Sequence, residues 1–153
     1  MGAIEEHINI VLAGLTRKYI MAGKKEVTQQ LALEGHIIYS EISFVHRVPS
    51  PVMIEAIEPA LLLSIDHKNL EQLFDEMPQL ERLGRLLLSD LFIKKDNRDF
   101  VYLSKSTQER FLEYVQSHPH MLQRVPQKYI ASYLDIKPET FSRLKHLLKK
   151  KKG

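Results

Sequence analysis

The residues best suited to chemistry crowd toward the C-terminal end of the chain. At about 100° per residue, Glu139, Ser142, Arg143, His146 and Lys150 fall on one side of a helix. Phe141, Leu144 and Leu148 fall on the other. One face can therefore bury while the opposite face enters the major groove of a duplex. Arg143 can donate two parallel hydrogen bonds to guanine, and Glu139 can accept from a cytosine amino group. Glu139, Ser142, Arg143 and His146 are thus the expected base contacts. Thr140, Lys128, Lys137, Lys145 and Lys150 suit phosphates, which set register without reading sequence. A helical hairpin with a merely solvated polar face has the same spacing.

Charge favours the nucleic-acid reading. Residues 126–153 hold eight Lys or Arg and two acids, net +6; the remaining 125 residues hold 14 basic and 17 acidic side chains, net −3. A mildly acidic body carrying a basic end points to a polyanionic partner, either nucleic acid or an anionic membrane surface.

The elements that would carry this face are legible upstream. Pro126–Leu134 reads as a short helix beginning with proline, Asp135-Ile136 as a tight connection, and Pro138 as the first turn of the next helix. Ser106 and Glu109 have capping-box spacing before Phe111, Leu112 and Val115. Further back, Leu80, Leu83, Gly84, Leu87 and Leu91 form a narrow stripe on a helix running into the 90s. A stripe of that width suits a pairing seam with a second copy, the alternative being a helix packed on its own barrel. Asp66 is the expected N-cap of a helix bearing Leu70, Leu73 and Phe74, and Pro78 marks the next boundary.

Residues 8 to about 65 read as strands. Ile8, Ile10 and Leu12 alternate, Ala22-Gly23-Lys24-Lys25 is a hairpin turn, and Val27–Leu31 is the return strand. Glu34-Gly35 and Pro49-Ser50-Pro51 break the chain, and Val52–Ile57 and Ala60–Ile65 are further apolar runs. Short strands at this spacing suggest a small antiparallel barrel or sandwich.

Composition removes several function classes. The chain has 153 residues, 44% of them hydrophobic, and no cysteine. Disulfides, cysteine nucleophiles, thiolate zinc sites and iron–sulfur clusters are excluded, and a reducing cytoplasm fits. No run of 18 apolar residues predicts a membrane span, and Met1–His7, with Glu5 and Glu6, does not resemble a signal peptide. Phosphate-loop, Gly-x-Ser-x-Gly and His-Glu-x-x-His motifs are absent, and His118-Pro-His120 reads as a surface loop. The expectation is a non-enzyme with no cofactor and no metal.

The run from Arg124 to Arg143 closely resembles the helix-turn-helix of the Crp/Fnr family of bacterial transcription regulators. Its Glu-Thr-x-Ser-Arg core, Glu139 to Arg143, is the most specific part. Gly14 with Arg17, Gly23–Glu26, Glu34-Gly35 and Ile54-Glu-Ala56 resemble landmarks of that family's cyclic-nucleotide-binding-type β-roll, and Leu80–Leu91 resemble its dimerisation helix. The likeness covers nearly the whole chain and is nearest to short Bacteroidetes-type members. It implies a homodimer on double-stranded DNA with recognition helices in successive major grooves, RNA polymerase as a further partner, and no membrane. The fold class expected is α+β: a partial antiparallel roll over 1–76, a dimerisation helix and hinge over 77–104, and an all-α helix-turn-helix domain over 105–153.

The sequence departs from the family at three places. Only seven residues precede the strand at Ile8, where the resemblance calls for several strands and a helix; a partial roll leaves open strand edges, which invite association. Tyr39-Ser40 and Ser50-Pro51 stand where cyclic-nucleotide binders carry Gly-Glu and Arg-Ser, and Arg47 is out of register, so tight cyclic AMP binding is not expected. Asp135 stands at the turn position usually held by glycine, which Asp tolerates better than most residues. The chain also stops without a winged hairpin, and Lys149–Lys152 are expected to replace part of its phosphate contacts. Two rival readings are an interaction or ligand-sensing module that does not bind DNA, and membrane attachment through the basic terminal helix.

Overall fold

A computed structural model describes residues 2–150, with backbone only at 147, 149 and 150. The chain forms two compact units, Met1–Pro78 and Gln79–Gly153.

The first unit holds two three-stranded antiparallel sheets. One has the order β4 (Ile37–Ile38), β1 (His7–Ala13), β6 (Leu61–Asp66). The other has the order β3 (Lys25–Ala32), β2 (Thr16–Ala22), β5 (Met53–Ala56). Gly14 turns the chain from one sheet into the other with φ +87°, and a Cβ there would lie 2.2 Å from the Pro59 carbonyl oxygen. Only glycine fits both the conformation and the space. The β2–β3 hairpin closes through Gly23 and Lys24, with Gly23 at φ +64°, as a two-residue turn of the II′ kind requires. Val11, Ala32 and Ile38 form the apolar cluster between the strands, with Ile54 packed on it.

Arg17 is buried on β2 yet paired through two of its three guanidinium nitrogens. Its guanidinium pairs with Glu26 and with Glu55 (2.6 Å) and lies over the Tyr19 ring. Burial of this cation is tolerable because two carboxylates and a ring face replace its hydration. β6 is a sheet edge, and Leu61, Leu62 and Leu63 on it are all exposed.

One expectation fails here. The stretch read as short strands and turns contains a helix, α1 (Glu41–His46), just after the two-residue β4. Six residues without a side-chain cap carry no helical signature in the sequence. Tertiary contacts hold it instead. The Ser43 hydroxyl donates to the Val48 carbonyl and accepts from the Glu5 amide at 2.8 Å. Phe44 packs against the Tyr39 ring at 5.7 Å and the His67 ring at 5.1 Å. Helix α2 (His67–Glu76) follows β6 and starts at Asp66, whose carboxylate accepts from the Asn69 amide at 2.8 Å.

The second unit is all-helical: α3 (Gln79–Ser104), α4 (Thr107–Ser117), α5 (Met121–Arg124), α6 (Gln127–Tyr133) and α7 (Pro138–Lys150). The capping box forms as its spacing predicts. Ser106 accepts from the Glu109 amide, and Glu109 accepts from the Ser106 amide. The core is Phe111, Tyr114, Met121, Val125, Ile130, Ala131, Ile136, Phe141 and Leu144.

Helix α3 corrects a second expectation. It runs thirteen residues past Leu91, the end of the predicted leucine stripe, and its apolar exposure is not confined to that stripe. Leu83 and Leu87 are exposed while Leu80, Gly84 and Leu91 are half-buried, but Leu86, Leu88, Phe92 and Ile93 are exposed as well. No residue of this helix is buried within the chain. The pattern is an apolar surface on several sides of the helix rather than a narrow stripe on one.

Candidate nucleic-acid interface

The helix-turn-helix is built from α6, the turn Leu134–Lys137, and α7. Ile130 and Ala131 anchor α6 in the core. Its last carbonyls are satisfied by the turn itself: the Leu134 amide donates to Ile130 at 2.9 Å, the Asp135 amide to Ser132 at 3.2 Å, and the Ile136 amide to Ala131 at 2.8 Å. This wrapping requires a left-handed residue, and Asp135 supplies it at φ +49°. Ile136 then returns to the core, and Pro138 opens α7 where a missing amide hydrogen leaves nothing unsatisfied.

Packing decides which face of α7 is free. Phe141 and Leu144 are buried, and Phe141 meets Phe111 edge to face with centroids 5.1 Å apart. Glu139, Ser142, Arg143 and His146 are exposed together on the opposite side. Thr140 and Lys145 are half-buried at the margins, and Lys137 is exposed at the entrance to the helix. Lys128 is exposed near the start of α6, its ammonium 4.6 Å from the Tyr129 ring centre. The Lys150 side chain and the Lys149–Lys152 tract lie outside the described residues.

Two residues of α3 that sequence reasoning missed, Tyr102 and Arg98, attach this motif to α3, and Arg110 of α4 braces Tyr102. The Tyr102 hydroxyl donates to the Asp135 carboxylate at 2.9 Å. The Arg98 guanidinium lies 4.5 Å from the Tyr133 ring centre, and that of Arg110 lies 4.9 Å from the Tyr102 ring centre. Arg110 also donates to the Lys105 carbonyl at 3.0 Å, just beyond α3. The carboxylate of Asp135 raises the Tyr102 pKa by accepting its proton in a hydrogen bond and by its charge. No local pattern marks these residues, because the partners are far apart in sequence.

In the first unit, the segment from Tyr39 to Pro51 is tied to β2 and to the residues before β1. The Lys18 ammonium, buried, donates to the Tyr39 carbonyl at 3.1 Å and pairs with Glu41 at the start of α1. Arg47, left-handed at φ +54° after α1, donates to the Glu5 carbonyl at 2.8 Å and pairs with Glu6 at 2.6 Å. Burial pushes the Tyr39 hydroxyl pKa up, and Glu41 adds to it.

Neither the models of known protein families nor the curated proteins include a match to this sequence. Solved structures do match. FixK2 from Bradyrhizobium japonicum aligns over 99% of this chain and 80% of its own, with TM-score 0.80 and 16% identity. CLP, a c-di-GMP-responsive global regulator of Xanthomonas campestris, aligns over 98% and 80%, with TM-score 0.72 and 14% identity. A protein of Eubacterium rectale assigned to the Crp/Fnr family of transcriptional regulators aligns over 97% and 71%, with TM-score 0.71 and 16% identity.

The chain shares the fold of these three proteins. Its class is α+β, with antiparallel sheets in the first unit and helices in the second, as expected from the sequence. A helix occupies the segment between Tyr39-Ser40 and Ser50-Pro51, and the turn before α7 closes on Asp135 without glycine. Among the described residues no helix is long and apolar enough to cross a membrane.

Proposed function

We propose that this protein is a sequence-specific, DNA-binding transcription regulator that acts as a homodimer in the cytoplasm. One observation carries the reading. On α7, Glu139, Ser142, Arg143 and His146 stand exposed together, while Phe141 and Leu144 lock the opposite face into the core. A rigidly backed helix with that outer chemistry suits a major groove. Glu139, Ser142, Arg143 and His146 read base edges; Thr140, Lys128, Lys137, Lys145 and Lys150 hold phosphates. Residues 105–153 form the DNA-binding domain, 77–104 the pairing helix and hinge, and 1–76 the effector roll.

Pairing through α3 is supported by its exposed leucines and aromatics, which a lone soluble chain would rarely leave in water. The seam centres on Leu80, Leu83, Gly84, Leu87 and Leu91, and Leu86, Leu88, Phe92 and Ile93 widen it. RNA polymerase is a partner in the sense that a bound regulator acts on transcription. The roll does not bind cyclic AMP tightly, since Arg47 is committed to Glu6 and no Arg-Ser pair faces the segment after Tyr39. Calorimetry with cyclic AMP is expected to show no micromolar binding.

Selection of preferred duplexes from a random pool tests the function directly. The expected outcome is a two-fold symmetric motif with half-sites about one helical turn apart. No enrichment would overturn the DNA-binding reading in favour of an interaction module.

A further inference from the structure

We propose that Tyr102 is a positioning residue for the recognition helix: its bond to Asp135 ties the turn before α7 to the last turn of α3. The inference rests on the DNA-binding reading above and adds how the reading helix is aimed.

The argument starts at Asp135. A left-handed turn residue is least strained as glycine, and an L side chain costs about 1–2 kcal/mol there. Asp135 holds that conformation with φ +49°, so its side chain is retained against a backbone preference. The carboxylate has a use, since it accepts the Tyr102 hydroxyl at 2.9 Å. Both residues are exposed, so the bond adds little to folding. Its value is geometric. Four residues before Tyr102, on the same side of α3, Arg98 stacks on Tyr133 of α6. Behind Tyr102, Arg110 lies against its ring and donates to Lys105 at the start of the α3–α4 connection. The end of α3 therefore grips the helix-turn-helix at α6 and at the turn, and α7 inherits its direction from α3. If α3 pairs with its copy, the same grip sets the separation of the two reading helices, which must match the half-site spacing of a duplex.

Asp135→Gly separates the two roles of Asp135, because glycine keeps the left-handed turn and deletes the carboxylate. Tyr102→Phe deletes the hydroxyl alone. Each variant is expected to keep the unfolding midpoint of the parent or, for Asp135→Gly, to raise it. Each should bind the selected symmetric duplex roughly three- to ten-fold more weakly. Each should also lose discrimination against duplexes whose half-sites are moved apart by one base pair. The double variant should be no weaker than either single one, because one bond is removed in both.

A second measurement needs no DNA. The chain has no cysteine, so spin labels can be placed at Lys94→Cys on α3 and Gln127→Cys on α6, diluted with unlabelled protein. The parent should give one narrow distance distribution, and Tyr102→Phe and Asp135→Gly should broaden it alike. Unchanged distributions, or additive losses in the double variant, would overturn the proposal. Narrow parent and broadened variant distributions in a protein that enriches no duplex would sustain the positioning role and overturn only the DNA-binding reading.

Discussion

Phe111 on α4 meets Phe141 on α7 edge to face, with ring centroids 5.1 Å apart and planes at 89°. Both rings are essentially inaccessible to water. The contact fixes the rotation of α7 about its axis, and hence which of its side chains remain outside. Phe111→Ala removes one ring and leaves a cavity against the other. It should lower stability by about 3–5 kcal/mol, read from chemical denaturation. A loss below about 1 kcal/mol would show that α7 is held elsewhere.

Arg143 and Lys128 should separate specificity from affinity. Arg143→Ala is expected to reduce discrimination between the selected motif and a mismatched duplex by about 1–3 kcal/mol. Lys128→Ala should weaken binding to all duplexes alike and lower the slope of log affinity against log salt by about one. Competition titrations at several salt concentrations give both numbers. Uniform weakening by Arg143→Ala would remove it from base readout.

The leucines of α3 should govern assembly. A carboxylate at Leu83 or Leu87 would have to be desolvated in a packed seam, so Leu83→Glu and Leu87→Glu should shift sedimentation toward the monomer. Both side chains are exposed in the single chain, so folding of the monomer should survive the change. A dimer insensitive to both substitutions would place the seam on another side of α3.

Gly14 should tolerate no side chain. At φ +87° an alanine bears about 1–3 kcal/mol of backbone strain before any contact is counted. Its Cβ would also sit 2.2 Å from the Pro59 carbonyl oxygen and 2.8 Å from the Ala60 Cα, both of them backbone atoms. Gly14→Ala should therefore lower the denaturation midpoint of the first unit more than Gly23→Ala, whose Cβ meets open space. Equal effects would indicate that the Pro59–Ala60 segment yields.

Acid should weaken the helix starts. The Asn69 amide holds the Asp66 carboxyl below its ordinary value of 3.8, and the Ser106 hydroxyl holds Glu109 below 4.5. Carboxylates with lowered pKa in the folded state bind fewer protons folded than unfolded. Their contribution is complete above the ordinary values and is lost as pH falls through the lower, folded ones. Denaturation midpoints should drop with pH in that acid window, and less steeply in Asp66→Asn, which can still cap but does not titrate there. An identical acid dependence in that variant would show that the cap charge contributes nothing.

Much of the molecule was legible because its signals are local. The Asp66 cap, the Ser106–Glu109 box, the Gly23 turn, Pro138 at the first turn of α7 and the opposed faces of that helix each depend on neighbours within a few residues. Helix α1 was not legible. It has no cap bond and only six residues, and what holds it is Ser43 against Glu5 and Val48 and Phe44 against Tyr39 and His67. The further exposed apolar residues of α3, Leu86, Leu88, Phe92 and Ile93, are not marked by the leucine period, because periodicity does not show which sides of a helix a neighbour covers.

The sequence by itself determined the fold class and the residues on the outer face of α7, since local backbone chemistry and helical period suffice for those. Only the tertiary structure decided that Asp135 is left-handed and bonded to Tyr102, that Arg98 stacks on Tyr133, and that Lys18 and Arg47 are committed to carboxylates around α1. Those pairings join residues 23 to 41 positions apart and are selected by the packing of whole elements, which no window of the sequence contains.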